Sequence, residues 1–139
     1  MKKEIKEVQG VLSGLFTVPH PSLGLDIDGV LDEANLFFRT LSHVWPGQVF
    51  IISYRNNREK AVQDLEKLGI RYDELILVSS FEQKAEVIVE KGILIFFDDQ
   101  PECLKHVSED RHVMLVRNGG NFDFDDKRWM LSDQTGKLV

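Results

Sequence analysis

Along this chain, short and largely apolar runs alternate with stretches in which apolar positions return every three or four residues. The runs at 23–27, 49–53, 75–78, 93–97 and 112–116 have the length of strands. Apolar runs without alternating polar positions predict strands covered on both faces. The stretches between them predict helices. One spans 34–44 and is stopped by Pro46 and Gly47. The next takes Asn56 as its cap, with Glu59 three residues on and Gly69 just past its end. A third opens on Ser80 with Gln83 and stops at Gly92, and Pro101 suits the first turn of a short fourth. Residues 2–15 place Ile5, Val8, Val11, Leu12 and Leu15 at helical spacing, so residues 1–20 predict a helical extension broken by "TVPHPS". Residues 118–139, rich in Gly and Asp, predict an irregular tail. Strands alternating with helices imply an α/β fold, a three-layer Rossmann-like parallel sheet with helices on both faces.

The 139 residues fit one folding unit, so we expect a single domain over 1–139. A composition of 42% hydrophobic and 29% charged residues is that of a soluble globular protein and excludes fibrous and disordered classes. The 17 basic residues are outnumbered by 23 acidic ones, for a net charge of −6. The chain therefore lacks the broad positive field that unspecific nucleic-acid or anionic-membrane binding needs, and neither partner is expected. The single cysteine, Cys103, has no partner for an internal disulfide, which fits a reducing cytoplasm. "MKKEIKEVQG" is not followed by the apolar core of a secretion signal, and "ILIFF" is too short to span a bilayer, so secretion and membrane insertion are not expected. "TGKL" lacks the upstream glycine and the following Ser or Thr of a phosphate-binding P-loop. The histidines, His20, His43, His106 and His112, share no metal-site spacing.

In open parallel α/β sheets, ligands bind beyond the carboxyl ends of the strands. There the sequence gathers its polar residues: Asp26 and Asp28 at the end of the first strand, Ser53 at the end of the second, and Asp98 and Asp99 after "ILIFF". Lys84 falls in the first turn of a helix, where the macrodipole disfavours a cation, and it interrupts the apolar stripe of Phe81, Ala85 and Ile88. Its ammonium is expected to point at the sheet edge, toward negative charge. Four ionised aspartates in one place sum to about −4, more than Lys84 alone offsets, and the excess implies a hard divalent cation such as Mg²⁺.

In this order and spacing, "DIDGV", "FIIS", Lys84 and "IFFDD" resemble the four motifs of the haloacid dehalogenase superfamily, and more particularly of its Mg²⁺-dependent phosphatases. The likeness covers most of the chain. It implies that Asp26 is a nucleophile that forms an aspartyl-phosphate, and that Asp28 serves as general acid and then base. It further implies that Asp26, Asp98 and the main chain of Asp28 hold Mg²⁺, with Asp99 acting as a ligand, through water, or by orienting Lys84. Ser53 and Lys84 would contact the transferring phosphoryl group, and Gly29 would let the backbone approach it. Tyr54 and Arg55, next to Ser53, are further candidates for substrate contact, as are Arg117, Asn121 and Trp129 in the tail. Asp28 favours a phosphatase over a dehalogenase, because an ester's leaving oxygen needs a proton. Asp32 and Glu33 are read as helix-start residues.

The intervals from Asp28 to Ser53 and from Ser53 to Lys84 have no room for the cap domain of many relatives, so the resemblance is to a capless member. Its site would be open unless a second copy of the chain covered it. The expected activity is phosphomonoester hydrolysis on a phosphorylated substrate. Two alternatives are a receiver-type phospho-acceptor domain, whose lysine however comes last in the chain, and a catalytically silent binding module on the same fold.

Overall fold

The computed structural model describes residues 20–130. The helical extension expected before them, apart from His20, lies outside the described residues, as does the end of the tail. The chain runs β1 (Ser22–Leu25), α1 (Asn35–Val44), β2 (Val49–Ser53), α2 (Arg58–Leu68), β3 (Glu74–Leu77), α3 (Phe81–Glu90), β4 (Ile93–Asp98), α4 (Pro101–Leu104), β5 (His112–Leu115), β6 (Phe122–Asp123) and β7 (Arg128–Trp129). The first five strands form one parallel sheet in the order β3-β2-β1-β4-β5. The expected alternation of strands and helices is present, and the fold is Rossmann-like α/β, but β5, expected to be covered on both faces, is an edge strand whose four residues are exposed.

Alternation along β2 shows why both faces are covered. Val49 and Ile51 join Leu23, Leu25, Phe38, Ala61 and Leu65 in one core, against α1 and α2. Phe50 and Ile52 join Phe96, Val87 and Ile88 in the other, against α3. Water reaches neither side of the strand, hence its unbroken apolar run. At Gly24, in the middle of β1, a Cβ would stand 2.6 Å from the ring of Phe96, so the glycine makes room for that ring.

The order places a topological switch between β1 and β4. From β1 the chain winds outward to β2 and β3, and then crosses to β4 and β5 on the other side. The carboxyl ends of β1 and β4 thus border the crevice where this class of sheet binds ligands.

Local signals hold with three adjustments. Asn57, not Asn56, caps α2, its side chain accepting from Lys60 N at 3.0 Å. Gly69 ends that helix in the left-handed conformation, at φ +70°. Ser80 caps α3 as expected, but Gln83 Oε1 accepts from Ser79 N rather than from Ser80 N. The tail contains an antiparallel hairpin, β6 with β7, where Phe122 pairs with Trp129. Its turn is tied by Asp123, which accepts from Asp125 N and Asp126 N, and its aromatic pair supplies the cross-strand contact that a Gly- and Asp-rich composition concealed. Among the described residues, no helix is long and apolar enough to cross a membrane.

Candidate functional site

Asp26 follows β1 directly, and its main-chain N–H still pairs with Phe97 O of β4 at 3.1 Å. Its side chain is buried, and Oδ1 accepts from Ile27 N at 2.8 Å. Asp98 is the last residue of β4 and is fully buried; its Oδ1 accepts from the N–H groups of Asp99 and Gln100 at 2.7 and 3.0 Å. Lys84 projects from the first turn of α3 between the two. Its ammonium donates to Asp98 Oδ2 at 2.9 Å and lies 3.5 Å from Asp26 Oδ2. At 1% exposure it is one of the largest fully buried side chains, and its Nζ stands 5.7 Å from the centre of the Phe96 ring. A lysine is tolerated there because its charge is paired twice.

Asp99 completes an acidic trio. Asp26, Asp98 and Asp99 each offer a carboxylate oxygen within 4.8 Å of the others, close enough to share one metal ion. Three carboxylates against one ammonium leave about two excess negative charges when all are ionised, the charge of one divalent cation. Burial, with that excess of negative charge behind it, raises the pKa of two of the three carboxylates. Burial raises the pKa of Asp26 well above the carboxylate range, against the pull of Lys84 and with reinforcement from Asp98 and Asp99. Asp99 is pushed up to about 7, first by burial and then by Asp98, against a hydrogen bond from Asn118. Burial disfavours the charge of Lys84, but Asp26 and Asp98 outweigh it and hold its pKa above the ordinary lysine value. An all-oxygen donor set suits a hard cation.

Asp28 stands apart from the trio. Its side chain is 66% exposed, and Arg55 grips it through Nε at 2.8 Å and a terminal nitrogen at 2.7 Å. The remaining terminal nitrogen of Arg55 donates to Asp64 of α2 at 2.6 Å, so this guanidinium ties the β1 loop to a helix. Asp28, Gly29, Tyr54 and Arg55 line a cleft of about 610 Å³ together with Asp26 and Asp99. Tyr54 is held there by donation to Ser79 O at 2.7 Å. Ser53 and Lys84 lie behind the cleft wall, Ser53 at 1% exposure with its hydroxyl oxygen accepting from Arg55 N at 3.2 Å.

Gly29 has φ +75°, and a Cβ there would fall 2.1 Å from Asp99 Oδ2 and 2.7 Å from Asn118 Nδ2. Its lack of a side chain therefore lets Asp99 and Asn118 close on the β1 loop. Asp32 accepts from Gly29 N at 2.8 Å, which makes it a brace of this turn, while Glu33, read from sequence as a helix-start residue, lines the cleft. Neither lies within α1, which begins at Asn35.

Sequence reasoning gave no role to Asn118. It sits in "NGGN" after β5, a turn signal, but its reach to Gly29 spans 89 positions and has no local signature. Asn121 also comes close, donating to Asp99 O at 2.6 Å. The other two tail candidates serve the hairpin: Arg117 stacks on Phe122 and Phe124, and Trp129 packs on Phe122.

These features define a Rossmann-like α/β protein with a carboxylate and lysine centre at the switch point of its sheet. Neither the known protein-family models nor the curated proteins match this chain.

Proposed function

We propose that this protein is a divalent-cation-dependent phosphomonoester hydrolase of the haloacid dehalogenase type, working through an aspartyl-phosphate on Asp26. The observation that carries the reading is Lys84, buried and paired with both Asp26 and Asp98 at the two strand ends of the switch point. The motif order supports it, as does Asp28 facing the cleft two residues after Asp26.

Asp26 attacks phosphorus with a carboxylate oxygen, and the bond to the leaving alcohol breaks as Asp28 supplies that oxygen with a proton. Water then attacks the acyl phosphate, Asp28 takes its proton, and phosphate and the free Asp26 carboxylate are released. Lys84, held behind the cleft wall, orients Asp26 and opposes the rise that burial imposes on its pKa. Mg²⁺ held by Asp26, Asp98 and Asp99, with the main chain of Asp28, would neutralise charge on the phosphoryl oxygens.

The chain between β1 and β2 holds α1, and that between β2 and α3 holds α2 and β3, which supports a capless reading. An open cleft suits a substrate whose alcohol portion projects from the protein, or a second copy of the chain as its cover. A buried lone cysteine agrees with a cytoplasmic setting.

The test is hydrolysis of p-nitrophenyl phosphate and of a panel of sugar, nucleotide, lipid and peptide phosphates, with Mg²⁺ and with chelator. Mg²⁺-dependent turnover that is abolished in Asp26→Asn is expected. Absence of turnover across the panel, or full activity in Asp26→Asn, would refute the reading.

A further inference from the structure

The loop after β5 holds Asp99 from two directions. Asn118 Nδ2 donates to Asp99 Oδ2 at 3.1 Å and to Gly29 O at 2.9 Å, so one amide joins the loops that follow β1, β4 and β5. Asn121 Nδ2 donates to the main-chain oxygen of Asp99 at 2.6 Å and to Val116 O at 2.7 Å. The two asparagines also hold each other, since Asn118 N donates to Asn121 Oδ1 at 2.8 Å, and Asn118 Oδ1 accepts from Gly120 N at 2.8 Å. Their exposures are 7% and 0%, and each of their four side-chain polar atoms has a partner. A turn that only reversed the chain would not need two buried amides.

We propose that Asn118 is a positioning residue for a divalent-cation site, its amide fixing the Asp99 carboxylate against Asp26 and Asp98 and thereby setting how tightly the cation is held. This rests on the reading of the acidic trio as a cation site. The chemistry is directional. Three carboxylates repel one another, and a carboxylate free to turn about its side-chain bonds swings away from its neighbours. Asn118 places an N–H donor on one oxygen of Asp99 and is itself anchored to the Gly29 carbonyl, which prevents that swing. Gly29 completes the device, because any side chain there would displace both Asp99 and Asn118. Partners that orient metal ligands in this way typically account for about 10- to 100-fold in affinity.

The test is titration calorimetry of the full chain with Mg²⁺, and with Mn²⁺ as a second probe, on wild type, Asn118→Ala, Asp99→Ala and the double variant. Asn118→Ala is expected to bind about 10- to 100-fold more weakly. In the Asp99→Ala background, the same substitution is expected to cost much less, because its route through the Asp99 carboxylate is gone and only its hold on the Gly29 carbonyl remains. A loss of equal size with and without Asp99 would reduce Asn118 to a loop-holding residue and overturn the proposal. Unchanged affinity in Asn118→Ala would also overturn it while leaving the cation site intact. Absence of binding in wild type would remove the cation reading itself. If Asn118→Ala fails to fold, Asn118→Ser retains an oxygen for Gly120 N but is too short to reach Asp99, and the same loss is expected of it.

Discussion

Arg55 grips both carboxylate oxygens of Asp28, at 2.8 and 2.7 Å, and is itself anchored by Asp64 at 2.6 Å. The residue proposed to move protons is thus aimed by a guanidinium from the next strand's end, braced against α2.

In Asp28→Asn, hydrolysis of alkyl phosphates should fall about 10²- to 10⁴-fold in kcat, the usual weight of a positioned general acid. p-Nitrophenyl phosphate should lose less, since its leaving group needs little proton assistance. Arg55→Lys keeps the charge but not the planar fork, so it should resemble a milder Asp28 variant. Steady-state kinetics on the two substrate types would check both, and equal losses on the two would remove Asp28 from leaving-group protonation.

Lys84→Met should destabilise the protein by about 3–5 kcal/mol in urea unfolding at neutral pH, because it leaves Asp26 and Asp98 buried without their cation. The side chains are close in size, so little of the loss comes from packing. A cost below about 1 kcal/mol would mean that the ammonium is not what balances those carboxylates.

The cation-free protein should become less stable as pH rises from about 4 to about 7. Asp26 and Asp99 have raised pKa values in the folded state, Asp99 at about 7, so across this window the folded chain holds protons that the unfolded chain has released. Stability then falls with pH. Mg²⁺ should counter that slope, so the gap between melting temperatures measured with Mg²⁺ and with chelator should widen from pH 5 to pH 8. Parallel curves would contradict it.

Gly29→Ala should lose about 1–2 kcal/mol from the left-handed backbone alone, and more from its collision with Asp99 and Asn118. Weakened cation binding should accompany the loss. A variant that unfolds at a lower urea concentration yet binds Mg²⁺ normally would show that the Asp99 and Asn118 pair can shift without consequence.

Much of the fold was legible because burial on both faces leaves a local trace. Residues 49–53 are apolar throughout up to Ser53, since alternate side chains enter two different cores. Lys84 was legible for a related reason: a cation in the first turn of a helix, within an apolar stripe, is costly unless something negative faces it, and Asp26 and Asp98 do. The hairpin Phe122 to Trp129 was hidden, because two-residue strands are too short to show a period.

By itself, then, the sequence determined the alternation of elements, the α/β class and the strand ends that carry Asp26, Asp28, Asp98 and Asp99, all of which depend on the period and length of nearby segments. The tertiary structure alone decided that Arg55 holds Asp28, that Ser53 lies behind the cleft wall, and that Asn118 closes on Gly29 and Asp99. Contacts of that kind join residues far apart in the chain. They arise only when strand order brings loop ends together, and no local pattern of apolar and polar residues encodes them.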